Sequence, residues 1–526
     1  MAVQRVLIDG QWRESAGSEH FRAVDPATGE ELPRSYPISP WAEVEQAISA
    51  AVRVASDSSA ISSERIADFL ERYATQIESR ADELVAAAHA ETALAVSPRL
   101  KEAELPRTAG QLRQAADAAR EGSWATATID TTQNIRSHFE PIGPVVVMGP
   151  NNFPFAFNSI AGGDFAAAIA AGNPVIAKGH PSHPHTTTLF AEAALEALRE
   201  AGMPPAFVQL IYHTGRENGL WLVGDRRVGA TGFTGSRAAG LALKEAADRG
   251  GNPIYLEMSS INPIVILPGA LVERSDAIAE EFTISCLMGA GQFCTNPGLV
   301  ILPAGPEGDA FVENVADRFA TSQAGTMLSA GVKASFLDGI RTLEDAGAEL
   351  VRGGEAMDEP GYRVSNALLQ ATARQFLENP RAFQTECFGN GSLMILANGL
   401  EEIEAVIEQL EGNLTGSVYS DTLGGDDALY RALAPRLTRK VGRLLNDKMP
   451  TGVAVSPAMN HGGPFPATGH PGFTSVGIPA SIHRFARLAC YDNIRPERLP
   501  PALQNQNPNH RWRLIDGRWT RDDVPD

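Results

Sequence analysis

The sequence predicts an α/β protein built on a parallel, doubly wound sheet, and three observations carry that prediction. From residue 144 onwards, short β-branched strands such as 144–149, 173–178 and 207–212 alternate with helical segments across short loops. In the segments between them, apolar residues recur at helical spacing. A similar alternation restarts near residue 258 and runs to about 445, which predicts a second α/β unit.

The segment before the first predicted strand favours helices. Within residues 42–121, Val44, Ile48 and Ala51 recur at i, i+4 and i+7 and form one apolar face. A second helical stretch follows at 64–90. We expect such helices to bury their apolar faces in the core of the protein.

Four further segments predict other structures. Residues 125–139 are alternating and polar, which suits two strands that extend from the body. The motif LIDGQW at 7–12 recurs as LIDGRW at 514–519, and an Asp-Gly pair between apolar residues predicts a β-hairpin. Residues 449–480 are rich in glycine and proline, which indicates an ordered loop that lines another part of the molecule.

Composition argues against several classes of protein. Of the 526 residues, 43% are hydrophobic and 20% are charged, which is typical of a globular chain. The net charge of −19 argues against a nucleic-acid-binding surface. The sequence has no apolar run of membrane-spanning length, no signal-peptide core at its start, and no C-x-x-C pair among its four cysteines. We expect a reduced, cytoplasmic protein without membrane or nucleic-acid partners.

Three residues are candidates for catalysis. Cys294, in GAGQFCTNPG, follows a predicted helix and is flanked by small and polar residues, which suits a reactive thiol. Glu257 follows a strand in apolar surroundings, which predicts a raised carboxyl pKa and a general base. Asn152 can present an amide N–H to an oxyanion. Taken singly, the three also fit structural roles, as a buried thiol, an ion-paired carboxylate and a turn asparagine.

Residues suited to a nucleotide stand near predicted strand ends. Lys178 ends a strand, from which its amine can reach a ribose or a phosphate. The turn TGFTGS, with Gly235 and Ser236, precedes a helix whose free N–H groups favour an anion. Glu386 and Phe388 share a face if their segment is extended, where they suit a ribose hydroxyl and a ring.

The histidines of KGHPSHPH do not have the pattern of a metal site. Prolines between His180, His183 and His185 prevent presentation on one helix face, and no acid or cysteine lies nearby in the sequence to complete a ligand set. We therefore expect the protein to hold no metal ion.

Taken together, these segments resemble the aldehyde dehydrogenase superfamily. In chain order they are FEPIGPVVVMGPNNFP, AK, GFTGS, LEMSSINP, GQFCTNP and ECFG, and order and spacing match over nearly the whole chain. The resemblance implies a Rossmann-like cofactor domain of residues 1–123 and 144–256 and an α/β catalytic domain of residues 257–460. Residues 124–143 and 461–526 would form a small β oligomerisation element and a C-terminal tail in a homodimer or homotetramer.

The resemblance also implies a reaction. Cys294 attacks an aldehyde carbon to give a thiohemiacetal, whose oxyanion is held by Asn152 and the backbone N–H of Cys294. Loss of a hydride to nicotinamide leaves a thioester, and water activated by Glu257 hydrolyses it to the carboxylate. The alternatives from other classes are a cysteine-dependent esterase and a non-catalytic binding protein on the same fold. Dependence of turnover on nicotinamide distinguishes these classes.

For the cofactor, the resemblance implies three sets of contacts: Lys178 to the adenosine ribose or its phosphate, Thr234, Gly235 and Ser236 to the pyrophosphate, and Glu386 and Phe388 to the nicotinamide ribose and ring. Many NAD-preferring relatives carry a glutamate three residues after the lysine, where this chain has Pro181. Arg216 is placed to meet a 2′-phosphate. NADP is the expected cofactor, with NAD also usable.

The segments KGHPSHP and MNHGGPFPAT are similar to one branch of the family. That branch holds α-ketoglutarate semialdehyde (2,5-dioxopentanoate) dehydrogenases and an NADP-linked fatty-aldehyde enzyme. We expect 2,5-dioxopentanoate as substrate, with aliphatic aldehydes as the alternative. A distal carboxylate needs a cation at the tunnel mouth, and Arg107 and Arg113 are candidates, although both also fit a solvated helix face. Phe153, beside the oxyanion asparagine, is a further substrate-side candidate.

Overall fold

The computed structural model describes residues 3–57 and 61–524, and its first sheet has seven strands. In spatial order these are Ile254–Glu257, Ala230–Thr234, Val145–Met148, Val175–Lys178, Val208–Ile211, Val6–Ile8 and Gln11–Arg13. The first five run parallel, and the last two form an antiparallel hairpin at one edge. This arrangement confirms the predicted parallel α/β sheet.

A second seven-stranded sheet lies in the later half of the chain. Its strands, in spatial order, are Glu349–Arg352, Ala367–Thr372, Gly391–Ala397, Leu299–Pro303, Ile264–Ile266, Asn413–Tyr419 and Val441–Asn446. All pairs are parallel except that of Glu349–Arg352 with its neighbour. Val265 belongs to one buried cluster, whereas Ile264 and Ile266 belong to another. Alternate side chains of one strand therefore serve cores on opposite faces of the sheet.

The remaining sheets are smaller. A five-stranded sheet consists of Ala486–Asp492, Ile135–Pro141, Ala127–Asp130, Arg513–Ile515 and Arg518–Thr520, and a three-stranded sheet consists of His213–Thr214, Tyr36–Ser39 and His20–Phe21. The two strands predicted within 125–139 are confirmed. The C-terminal hairpin pairs with one of them, so the tail extends this sheet.

Helices connect and cover the strands. They are Trp41–Ser56, Ser63–Ser79, Ala81–Thr92, Leu105–Glu121, Gly163–Ala170, Pro184–Glu200, Arg216–Gly224, Arg237–Gly250, Pro268–Leu287, Pro306–Thr321, Ala330–Asp345, Ala373–Glu378, Pro380–Phe383, Leu400–Gln409 and Asp427–Thr438, with a π-helical turn at Val96–Glu104. The predicted apolar face of the first helix is confirmed, because Val44, Ile48 and Ala51 are fully buried. The stretch 64–90 is two helices rather than one, since Arg80 leaves helical geometry between them.

Both predicted Asp-Gly hairpins are present, in different sheets. Asp9 and Gly10 have positive φ, as do Asp516 and Gly517, which matches the twist of the paired strands. No helix in the described part of the chain is long and apolar enough to cross a membrane. The domain limits and the role of the five-stranded sheet in assembly stay predictions, and the limits at 1 and 526 lie outside the described residues.

Candidate active site

A cleft of about 810 Å³ opens where parallel strands of the first sheet end. Its walls include Asn151, Pro181, Gly235 and Met258, each of which follows the carboxyl end of a different strand. Ligands of open α/β sheets bind at this edge, and the volume lies in the range of small-molecule sites. Residues from the half of the chain that holds the second sheet close the other side, including Glu386, which stands before the strand Gly391–Ala397.

Cys294, Glu257 and Asn152 meet at the inner end of the cleft, although they are far apart in sequence. The amide Nδ2 of Asn152 donates to the backbone carbonyl of Gln292, at 3.0 Å, just before the cysteine. The amide of Asn262 donates to the carbonyl of Cys294 at 2.9 Å. The backbone N–H of Cys294 has no acceptor among the described residues, so it is free to donate to a bound oxygen.

The loop that presents the cysteine requires a glycine. Gly291 has φ +68°, and a Cβ there would lie 1.9 Å from the carbonyl oxygen of Gly389. The loop before Cys294 therefore packs backbone to backbone against the segment that carries Glu386 and Phe388.

A fourth residue, His461, completes the cluster and was missed from the sequence. Its Nε2 atom lies 3.4 Å from Sγ of Cys294 and 2.8 Å from Oε1 of Glu257. The hydroxyl of Ser475 donates to the other oxygen of Glu257 at 3.1 Å. The available signal was the glycine- and proline-rich segment 449–480, which was predicted to line another part of the molecule and does so through these two residues.

Burial, neighbouring charges and hydrogen bonds shift the pKa values of Cys294 and Glu257 in opposite directions. Burial and the nearby charge of Glu257 raise the pKa of Cys294 well above its ordinary value. Burial also acts to raise the pKa of Glu257, but the charge and hydrogen bond of His461, with bonds from Cys294 and Ser475, lower it below the ordinary value. The predicted raised pKa of Glu257 is therefore wrong, because a histidine from a distant segment stabilises the carboxylate.

The sulfur, imidazole and carboxylate atoms of this cluster lie within 4.8 Å of one another, close enough to be metal ligands. Nε2 of His461 is at hydrogen-bond distance from both the sulfur and the carboxylate oxygen. The histidines singled out in the sequence have other contacts: His183 Nε2 faces the carbonyl of Pro150 at 3.0 Å, and His180 accepts from the N–H of Ser182.

An apolar wall adjoins the catalytic cluster. The ring of Phe153 contacts those of Phe157 and Phe293, each with centroids 5.3 Å apart. The guanidinium of Arg107 lies over this wall, 5.3 Å from the Phe157 centroid. Its Nη2 atom is buried and has no hydrogen-bond partner among the described residues. Burial lowers the pKa of Arg107, while the charges of Glu104, Cys294 and Glu257 counteract that effect.

Two predicted residues are not brought to the cluster. Arg113 lies on the outer face of its helix, where both terminal nitrogens pair with Glu78. It faces outward because it stands six residues, more than one and a half turns, after Arg107 on the same helix. Arg216 is the exposed first residue of its helix and is not among the residues that line the cleft.

The outer part of the cleft has the features of a dinucleotide site. Thr234, Gly235 and Ser236 line it, and Ser236 caps the helix Arg237–Gly250 through its hydroxyl. Two N–H groups of that first turn donate at 3.4 Å to serine hydroxyls, Arg237 to Ser259 and Ala239 to Ser236, and the positive end of the helix dipole favours a phosphate there. Lys178 is not among the residues that line the cleft, but it ends the strand that leads to His180, Pro181 and Ser182, which do. Its side-chain amine forms no ion pair or hydrogen bond among the described residues, and burial lowers its pKa to about 8.

Glu386 and Phe388 line the same cleft on the side of the second sheet. The backbone N–H of Ser260 donates to Oε1 of Glu386 at 3.2 Å. Burial raises the pKa of Glu386, while bonds from Ser259 and Ser260 act in the opposite direction. The other carboxylate oxygen can accept from a ligand hydroxyl.

Comparisons with known proteins agree with this arrangement. The model of the aldehyde dehydrogenase family matches residues 12–443. An α-ketoglutaric semialdehyde dehydrogenase of Azospirillum brasilense is 43% identical and covers 96% of this chain and 97% of its own. A second enzyme of that name, from Acinetobacter baylyi, is 38% identical over 90% of this chain and 91% of its own. Aldehyde dehydrogenase C of Pseudomonas syringae, solved with NAD⁺ and octanal, superposes with a TM-score of 0.80 at 22% identity, covering 94% of this chain and 98% of that one.

Proposed function

The chain belongs to the aldehyde dehydrogenase family, and we propose that it oxidises 2,5-dioxopentanoate to 2-oxoglutarate with NADP as hydride acceptor. One observation carries the reaction: Cys294, His461 and Glu257 lie within hydrogen-bond distance of each other at the inner end of the cleft. A thiol, a proton acceptor and a carboxylate are the groups that covalent aldehyde oxidation needs.

His461 prepares the nucleophile. When Nε2 of His461 is unprotonated it can accept the thiol proton of Cys294, and the imidazolium so formed supplies the charge and the hydrogen bond that lower the pKa of Glu257. This transfer is needed because burial raises the pKa of the thiol. The thiolate adds to the aldehyde carbon, and the new oxyanion accepts from the free N–H of Cys294 and the second amide hydrogen of Asn152.

Glu257 completes the cycle. NADP, when bound, supplies the acceptor for the hydride that leaves the thiohemiacetal carbon. The product of that loss is a thioester on Cys294. Glu257 takes a proton from water as the water attacks this thioester, and its depressed pKa keeps the carboxylate ionised at neutral pH. The sulfur leaves and recovers a proton from His461.

The residues at the outer end of the cleft fit the nucleotide. Just before the cleft residues His180 and Pro181, Lys178 has a half-buried amine without a counter-ion among the described residues, which an anionic phosphate would satisfy. Pro181 lines the cleft at the position where a glutamate would repel a 2′-phosphate, and the nearest following acid, Glu192, pairs instead with Arg80. These features support NADP, while Arg216 stays a prediction.

Arg107 supports a substrate with a distal carboxylate. Its buried Nη2 is unpartnered and faces an apolar wall next to the thiol, which suits a short carbon chain that ends in an anion. Arg443, a second nearby cation, already donates through its terminal nitrogens to the carbonyls of Pro450 and Gly452. Of these two arginines, Arg107 is the one with a terminal nitrogen that lacks a hydrogen-bond partner among the described residues.

The first test compares substrates and cofactors. Purified protein is assayed with 2,5-dioxopentanoate and with medium and long aliphatic aldehydes, each with NADP and with NAD. We expect kcat/KM to favour 2,5-dioxopentanoate by at least about tenfold, which corresponds to one good charged contact. Preference for long aldehydes would overturn the substrate, and absence of reduction with every aldehyde would overturn the reaction.

Two arginine variants test the role of Arg107. Arg107→Gln should raise KM for 2,5-dioxopentanoate about tenfold or more and leave an uncharged aldehyde of similar length unaffected. Arg113→Gln, on the outer face of the same helix, is the matched control and should behave as the parent protein. Equal effects of Arg107→Gln on charged and uncharged aldehydes would contradict an anion-binding role.

A further inference from the structure

The segment that carries Asn152 is held by an ion pair from outside the cleft. Glu104, the last residue of the turn Val96–Glu104, is fully buried, and its Oε1 accepts from the backbone N–H groups of Phe155 and Ala156 at 2.8 and 2.9 Å. These two N–H groups belong to an irregular loop and would otherwise be buried without an acceptor. The carboxylate therefore replaces the hydrogen bonds that regular structure would provide.

The charge of Glu104 is balanced by Arg99. One terminal nitrogen of Arg99 lies 2.5 Å from Oε2 of Glu104, and the other donates to the backbone carbonyl of Asn152 at 3.0 Å. The planar guanidinium makes both bonds in a fixed geometry. Arg99 thus joins the buried carboxylate to the residue that presents the oxyanion amide.

Arg99 also contacts the side that carries the nucleophile. Its Cζ atom is 4.3 Å from the ring centroid of Phe153 and 5.2 Å from that of Phe293, the residue before Cys294. Cation–π contacts of this kind favour the arginine over an uncharged side chain. The guanidinium therefore touches the neighbours of both the oxyanion donor and the thiol.

We propose that Arg99 and Glu104 are positioning residues that hold Asn152 in register with Cys294, a role that rests on the proposed function of those two groups. Neither touches the reacting atoms. A displacement of about 1 Å at an oxyanion donor is enough to lower a rate about 100-fold, so a loop without regular structure needs such a restraint. Arg99 supplies it because its donors are divided between Glu104 and Asn152.

The test is a double-mutant cycle between Arg99→Gln and Asn152→Ala. In the parent background, Arg99→Gln should lower kcat roughly 10- to 100-fold while the dissociation constant of NADP stays unchanged. In the Asn152→Ala background the same substitution should have little further effect, because the amide it positions is gone. The same factor in both backgrounds, or an unchanged kcat in the parent background, would overturn the proposal.

Controls separate positioning from folding and from the proposed function. Arg120→Gln removes an arginine that pairs with Glu64 and Glu71 on the adjoining helix, and it should leave kcat unchanged. If Arg99→Gln fails to fold, Arg99→Lys is used instead, because it keeps the charge but lacks the two terminal nitrogens that contact Glu104 and Asn152. It should show the same non-additivity with a smaller loss of kcat.

The cycle is repeated on hydrolysis of p-nitrophenyl acetate, which requires Cys294 and an oxyanion donor but no nicotinamide. Ester hydrolysis without aldehyde oxidation would overturn the proposed function while the cycle still tests Arg99. Non-additivity in this assay supports the restraint, and additivity refutes it.

Discussion

The two ends of the cleft are built in different ways. At the outer end, the turn 234–236 and the segment that begins at Lys178 stand where parallel strands of one sheet end, and they offer a helix start and an amine without a partner among the described residues. At the inner end, Cys294, Glu257 and His461 come from separate segments and bond directly to each other. Backbone dipoles and one charge suffice to bind a phosphate, whereas proton transfer needs side chains at hydrogen-bond distance.

This difference predicts that substitutions at the inner end change rates and those at the outer end change cofactor affinity. The largest expected effect is that of Cys294→Ala, which should abolish formation of reduced nicotinamide, by at least about 10⁴-fold in kcat. NADP affinity, measured by titration, should stay close to that of the parent. The exposed Cys490→Ser variant is the control and should retain turnover. Turnover that survives Cys294→Ala would refute covalent catalysis.

His461→Gln should have the next largest effect, lowering kcat/KM by roughly 10³-fold near neutral pH. The thiol pKa is already raised by burial and by Glu257, and loss of the imidazole removes the group that accepts its proton. Activity should therefore appear only at higher pH than in the parent protein. The measurement is the pH profile of kcat/KM, with substitution of the exposed His89, His89→Gln, as control. Superimposable profiles would exclude His461 from the chemistry.

Glu257→Gln should separate the two half-reactions. Thioester hydrolysis should slow by roughly 100-fold, so that a rapid burst of reduced cofactor precedes slow turnover. The pKa of Glu257 is depressed in the parent protein. As pH falls, Glu257 should therefore become protonated and stop acting as a base only below the pH at which an ordinary carboxylate does so. Stopped-flow absorbance resolves the burst. A variant with no burst and an unchanged steady state would show that another group activates the water.

Lys178→Met tests the outer end and should have the smallest effect. The dissociation constant of NADP should rise about tenfold, as expected for one charge-assisted contact, while kcat at saturation is preserved. Because the pKa of Lys178 is about 8, NADP affinity of the parent protein should fall as pH rises through that value, and the variant should lack this dependence. Calorimetric titration across pH measures both. If Lys178→Met changed kcat without changing the affinity for NADP, the outer end of the cleft would not be limited to cofactor binding.

Much of the fold could be predicted from the sequence. Alternating strands and helices, the buried face of Val44 and Ile48, and both Asp-Gly turns depend on local spacing and backbone preference. The split at Arg80 could not be predicted in this way, since the surrounding residues keep helical character and a single residue changes conformation. Local patterns predict elements well and their interruptions poorly.

The sequence by itself determined the elements, the order of the motifs and the identities of Cys294, Glu257 and Asn152. Only the tertiary structure decided what surrounds them: His461 lies against a carboxylate 204 residues away, and this contact reverses the expected direction of the Glu257 pKa shift. The tertiary structure likewise decided that Arg107 faces the apolar wall, whereas Arg113, on the same helix, forms an ion pair with Glu78 on the outer face. Burial, contact and electrostatic environment depend on distances between remote segments, which spacing along a chain does not contain.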